Sequence, residues 1–116
     1  MGLDFVGADA HWSYSSFNSF RHKLAKEVGI DLDEMDGFGG RKSWARVKTP
    51  LKWLLNHSDC DGQITAKRCA KMAPILRGAV LQWVNLKEHE YDLEQALELA
   101  EGMRECGRRN KPLIFC

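Results

Sequence analysis

Apolar positions along the chain fall into helical stripes separated by polar, glycine-rich connections. Phe17, Phe20, Leu24 and Val28 recur at helical intervals. Ser13 stands where an N-cap accepts from the first free amides, and Gly29 where a helix stops. The spacing predicts a helix from about Tyr14 to Val28. Trp44 and Val47 suggest one amphipathic turn, and Thr49-Pro50 reads as cap and first residue of a helix carrying Leu51, Leu54 and Leu55 inward. Beyond Gly62, Thr65 caps a long helix in which Cys69, Met72, Ala73, Leu76, Val80 and Trp83 repeat every three or four residues. Pro74 lies inside that pattern and lacks a backbone donor, which predicts a kink or break near Ala73. In a last helix, Asp92 is read as the cap with Gln95 in capping-box spacing; Leu93, Ala96, Leu97, Ala100 and Met103 are the buried stripe and Gly107 the stop. Leu3 and Phe5 near one end and Leu113-Ile114-Phe115 at the other are short strand patterns, expected to pair and tie the termini together. The fold class is therefore mainly α: one small domain, residues 1–116, of four to five helices with a minor two-stranded terminal β pairing.

Composition narrows the function classes. A chain of 116 residues with 44% hydrophobic and 28% charged residues can bury its own core. No apolar run approaches the roughly 18 residues that span a bilayer, so no membrane partner is expected. The opening M-G-L-D-F-V-G-A-D-A has an early acid and lacks the basic-then-apolar pattern of an export signal. A cytoplasmic setting is expected, with Cys60, Cys69, Cys106 and Cys116 as reduced thiols. A net charge of +1 supplies no global field, and nucleic acid is not the expected partner.

The densest chemistry lies in N-H-S-D-C-D-G-Q-I-T, between the second and third long apolar stripes. Counting His57 as first, Asp59, Asp61, Gly62 and Ile64 occupy the third, fifth, sixth and eighth places of a calcium-type loop, an EF-hand-like helix-loop-helix. Its first and twelfth places, His57 and Arg68, are an imidazole and a guanidinium where a hard cation wants carboxylates. If any metal binds, its ligands would be Asp59, Asp61, the Gln63 carbonyl and the Thr65 hydroxyl. Without one, the same aspartates make Asx-turns and caps, or meet a polar ligand. Zinc would need His57 and Cys60 joined by Cys69, Cys106, Cys116 or His89, but only one close ligand pair is present.

Two further segments supply ligand-binding candidates. His11, Trp12, Tyr14 and Arg21 combine flat rings with a phosphate or carboxylate clamp, whereas Phe17 and Phe20 belong to the buried stripe. Gly37, Gly39 and Gly40 followed by Arg41 and Lys42 can form an anion nest or a tight turn. The acids Glu88, Glu90, Asp92, Glu94, Glu98, Glu101 and Glu105 make a solvated face or a docking surface for a protein. A nucleophile would be Cys60 or a serine activated by His57, His11 or His89. No nucleophile elbow, oxyanion loop or paired-glutamate pattern stands out, so no catalytic residue is assigned and no cofactor is expected.

M-G-L-D-F, His11-Trp12-Ser13-Tyr14, Gly37-Phe38-Gly39-Gly40 and above all Asn56-His57-Ser58-Asp59-Cys60-Asp61-Gly62 resemble a set of short bacterial and bacteriophage proteins of uncharacterised function. Those relatives often carry acidic residues just after the Thr that follows the loop, where this chain has Lys67 and Arg68, a departure that weighs against a metal. The resemblance implies a cytosolic accessory protein and brings no reaction with it. Taken together, the sequence points to a non-enzymatic binding protein. Its pocket would be assembled from residues 11–14, 37–41 and 57–61, with His11, Trp12, Tyr14, Arg21, Gly39, Gly40, Arg41, His57, Asp59 and Asp61 around a small polar or nucleotide-like ligand. The alternatives are an inhibitor docking on a host protein through the acidic face from Glu88 to Glu105, and a degenerate calcium module.

Overall fold

Ser13 accepts from the Ser16 amide at 3.1 Å and opens α1, Tyr14–Glu27, which buries Phe17, Phe20, Leu24 and Ala25. Gly29, at φ +82°, turns the chain out of it, as its freedom from a Cβ allows. The computed structural model describes residues 2–58 and 61–116 of the chain. Three more helices follow: the single-turn α2, Lys52–Leu55, then α3, Ala66–Val80, and α4, Glu90–Arg109. Thr65 caps α3 through the Arg68 amide. Short 3₁₀ turns at Leu32–Glu34 and Trp44–Arg46 punctuate the long connection between α1 and α2, each capped by the side chain before it, Asp31 or Ser43.

The helices α3 and α4 form the most extensive pairing in the molecule. They approach so closely that a methyl on Gly107 would lie 2.7 Å from the Ala70 Cβ. This explains why Gly107 is not the helix stop that its type suggested. The helix runs on to Arg109, and Asn110, at φ 54°, ends it in the left-handed conformation that Asn tolerates. Nor does Pro74 break α3. Pro74 is exposed, and the helix continues past it to Val80.

Asp92 is also not a cap. A turn at Lys87–His89 starts the helix earlier and carries Asp92 inside its first turn, where it is buried. There its carboxylate accepts the Trp12 indole N–H at 3.0 Å and pairs with Lys23 Nζ at 2.7 Å. Gln95, the supposed capping partner, accepts the His11 main-chain amide at 2.8 Å instead. The capping-box spacing is satisfied by tertiary partners. Trp12 stacks on Phe20 at 4.6 Å and leans on Phe17 at 5.4 Å, completing an aromatic core between α1 and α4.

The terminal strands do pair. β1, Phe5–Val6, lies antiparallel to β3, Leu113–Phe115, with Phe5 opposite Phe115. A third strand joins them: β2, Gln63–Ile64, from the loop between α2 and α3, sets Ile64 opposite Leu113. The order β1-β3-β2 puts the C-terminal strand in the centre and anchors one end of that loop.

Replacing Asp92 by Ala strands a buried indole donor and leaves Lys23 without its carboxylate. The expected loss is on the order of 2–3 kcal/mol in urea unfolding at unchanged m-value. Asp92→Asn, which still offers an acceptor to Trp12, should lose less. Equal stability of the Ala variant and the parent chain would contradict this placement of the carboxylate.

Candidate functional site

α2 has only one turn, so its geometry depends on what holds its end. Leu51, Leu54 and Leu55 face the core and leave Lys52, Trp53 and Asn56 toward the surface. The carbonyls of Leu55 and His57 then accept from Arg21 Nη1. Arg21 is 5% exposed, and its guanidinium lies 4.9 Å from the Phe17 ring and 5.3 Å from that of Phe38. One buried cation from α1 thus ties together the helix core, the glycine-rich segment and the end of α2. A guanidinium stays charged in a protein, so this burial depends on those aromatic faces and carbonyl acceptors.

His57 closes the other side of the loop. Its ring stacks on Phe115 at 4.0 Å, with one nitrogen 2.9 Å from the Ser58 carbonyl and the other 3.2 Å from that of Gln63. The Gly62 carbonyl accepts from the Phe115 amide at 2.9 Å. Asp59 and Cys60, on which the sequence reading leaned most, lie outside the described residues. Asp61 is exposed. Of the remaining metal candidates, the Gln63 carbonyl already faces His57 and the Thr65 hydroxyl caps α3. Among the described residues no three His, Cys, Asp or Glu gather around a common point.

The glycine segment is bonded inward. The Phe38 and Gly40 amides both donate to the Met35 carbonyl, at 3.0 and 3.3 Å, and Lys42 donates to that of Glu34. A side chain at Gly40 would overlap the Glu34 main chain. Two of the amides a nest would aim at an anion are therefore committed to the turn, while the Arg41 side chain projects into solvent.

The first segment separates from the other two. His11 is exposed, 2.8 Å from Asp4, with its carbonyl accepting the Tyr91 hydroxyl at 2.7 Å on the α4 side of the molecule. Trp12 has no exposed surface and its indole N–H is taken by Asp92, which places it in the core. Tyr14 stands exposed at the head of α1. Phe38 and the His57 carbonyl are instead brought together around Arg21. Cys69 and Cys106 are buried between α3 and α4, and burial pushes the Cys69 thiol up to about 11, a core role unsuited to nucleophile or zinc ligand.

What emerges beside Arg21 is a groove of about 300 Å³ lined by Trp44, Ala45, Lys52, Trp53, Asn56, His57 and Arg68. The Arg68 guanidinium sits 4.9 Å over the Trp53 ring. Trp44 is held by its indole N–H to the Asp36 carbonyl at 2.9 Å and packs edge-on against Phe38. Among the described residues, none that line it is Asp or Glu. Along the sequence, residues 41–77 are basic too, with Arg41, Lys42, Arg46, Lys48, Lys52, Lys67, Arg68, Lys71 and Arg77 against Asp59 and Asp61, whereas residues 31–36 just before them carry Asp31, Asp33, Glu34 and Asp36, and Glu34 pairs with Lys42. Sequence reasoning missed this groove because a net charge of +1 averages that run with the acids of α4. A count of charge by segment would have exposed it.

The acidic face is partly neutralised within its own helix. Glu101 pairs with Arg104 at 3.0 Å, and Glu105 with Arg108 at 2.8 Å, whose hydrogen bond holds the Glu105 carboxyl below its ordinary range. Asp92, as described above, is buried. Compared with models of protein families, with curated proteins and with solved structures, the chain matches none of them. The site must therefore be read from its own chemistry.

Replacing Arg21 by Met keeps the stem between the rings and removes the donors to Leu55 and His57. Loss of stability on the order of 2–4 kcal/mol is expected. Amide exchange should accelerate selectively at Phe115, whose N–H is bonded to Gly62. Uniform acceleration with no local component would contradict the clamp.

Proposed function

We propose that this chain is a non-enzymatic binding protein for a small polar, nucleotide-like ligand, held in the groove between the Trp44–Arg46 turn, α2 and the start of α3. The observation that carries this reading is Arg68 over Trp53, with Lys52 and His57 beside it and no carboxylate among the described lining residues. An Arg held against an indole is a weakly hydrated planar cation already in place for a phosphate or a base. The half-exposed Trp44 adds a second flat apolar face, and Asn56 a donor and an acceptor for a base edge. The ligand site is thus shifted from the three-segment pocket of the sequence reading to one that keeps His57 and leaves Trp12 in the core. In a bacterial or phage accessory protein, such a groove would serve to sequester a host signal or to counter a host defence.

A thermal-shift panel of mononucleotides, cyclic nucleotides, inorganic phosphate and divalent ions tests this. With nucleotide about 100-fold above its Kd, mass action adds about 2.7 kcal/mol, a rise on the order of 10 °C for a domain of this size. Arg68→Ala, at an exposed position, should abolish the rise and leave the unliganded midpoint within about 2 °C, since exposed sites contribute little to stability. Asp61→Asn should leave the rise intact. A flat response across the panel, or a rise that depends on Asp61 and a divalent ion, would overturn the groove assignment.

A further inference from the structure

Resting on the nucleotide-like reading of the groove, we infer that its ligand is a stretch of single-stranded nucleic acid, with the Trp44–Arg46 turn as the point over which the strand passes. Two concavities flank that turn. On one side is the groove of Trp53 and Arg68; on the other is a second, of about 520 Å³, lined by Met35, Arg41, Lys42, Ser43, Arg46 and Val47. Among the described residues neither has an acid in its lining, and Lys42 in the second is paired with Glu34, which leaves Arg41 and Arg46 as its unpaired cations among the described ion pairs. A free nucleotide fills one basic depression and leaves the other unused, whereas a polymer with one phosphate per residue uses both.

The charge extends further than one small ligand requires. Beyond Arg68, Lys71 lies three residues on along α3 and so shares its face, and both are exposed. Arg46 and Lys48 are exposed on the other flank. This is the combination single strands need: cations that follow a backbone, interleaved with rings on which bases stack whatever their identity. Stacking on Trp44 or Trp53 requires unpaired bases, because those of a duplex present only their edges in its grooves. The acids of α4 and of residues 31–36 repel a phosphate backbone and bound the strip it can follow, while the net charge of +1 keeps the field local.

The test is fluorescence anisotropy with thymidine monophosphate, thymidine oligonucleotides of about 5 and 15 residues, the matching uridine oligomer, a duplex of the same length and an oligoglutamate. Affinity should rise at least 30-fold from the mononucleotide to the longer single strands. The logarithm of the association constant should fall with the logarithm of salt concentration at a slope of about −2 to −3, three to four phosphate contacts at about −0.7 each. Lys48→Glu and Lys71→Glu, both outside the Trp53 groove, should weaken the 15-mer at least tenfold and leave the mononucleotide unchanged. Thymidine and uridine oligomers should both bind, and the tighter of the two identifies DNA or RNA as the source. Mononucleotide binding with no gain in length overturns this inference and leaves the groove reading standing; no binding of either removes both. Duplex or oligoglutamate binding as tight as the single strand would also overturn it, marking a surface for anions of any kind.

Discussion

The guanidinium of Arg21 is the contact on which the geometry of the binding face depends. A permanent cation at 5% exposure is tolerated only where acceptors and aromatic faces replace water, and those among the described residues include groups from three separate segments. Phe17 belongs to the same helix, Phe38 to the glycine-rich connection, and the carbonyls of Leu55 and His57 to the end of α2. A one-turn helix has little stability of its own. Its position, and with it the outward aim of Lys52, Trp53 and Asn56, is set from outside by this clamp.

The opposite wall of the loop is held by a different device. β3 enters between β1 and β2, so the C-terminal residues connect the start of the chain to the head of α3. Phe115 contributes twice, with its amide to Gly62 and its ring under His57. Thr65 then launches α3 in a direction that lays Arg68 over Trp53. A cation on α1 and a strand at the end of the chain thus fix the two sides of one groove, though neither lines it. In the loop whose spacing suggests a calcium site, His57 and Thr65 hold the described parts through main-chain groups.

Much of the fold was legible in the sequence. The stripes of α1 and α3, the Ser13 and Thr65 caps and the pairing of the terminal strands follow from periodicity and capping chemistry, which are local. The reading failed where a residue of local type takes a distant partner. Asp92 and Gln95 have capping-box spacing, yet Trp12, Lys23 and His11, some 70 to 85 positions away, take their oxygens. β2 is two residues long and gains its identity from β3 alone. Of the segments expected to form the pocket, Phe38 and the His57 carbonyl meet at Arg21, as framework. Trp12 looked like a pocket ring because the acceptor that holds its indole in the core comes from distant α4, and Trp44 was read as one amphipathic turn because helical spacing cannot distinguish a half-buried face from a buried one.

The four tryptophans offer the most direct discrimination. Trp12 and Trp83 donate to carboxylates away from the groove, Asp92 and Glu27, while Trp44 and Trp53 line it. In an isotope-labelled chain, each indole N–H gives its own NMR resonance. On titration with a short thymidine oligonucleotide, those of Trp44 and Trp53 should shift in a saturable way while those of Trp12 and Trp83 stay in place. Shifts confined to Trp12 or Trp83, or no shift at any indole, would contradict the groove as the binding site.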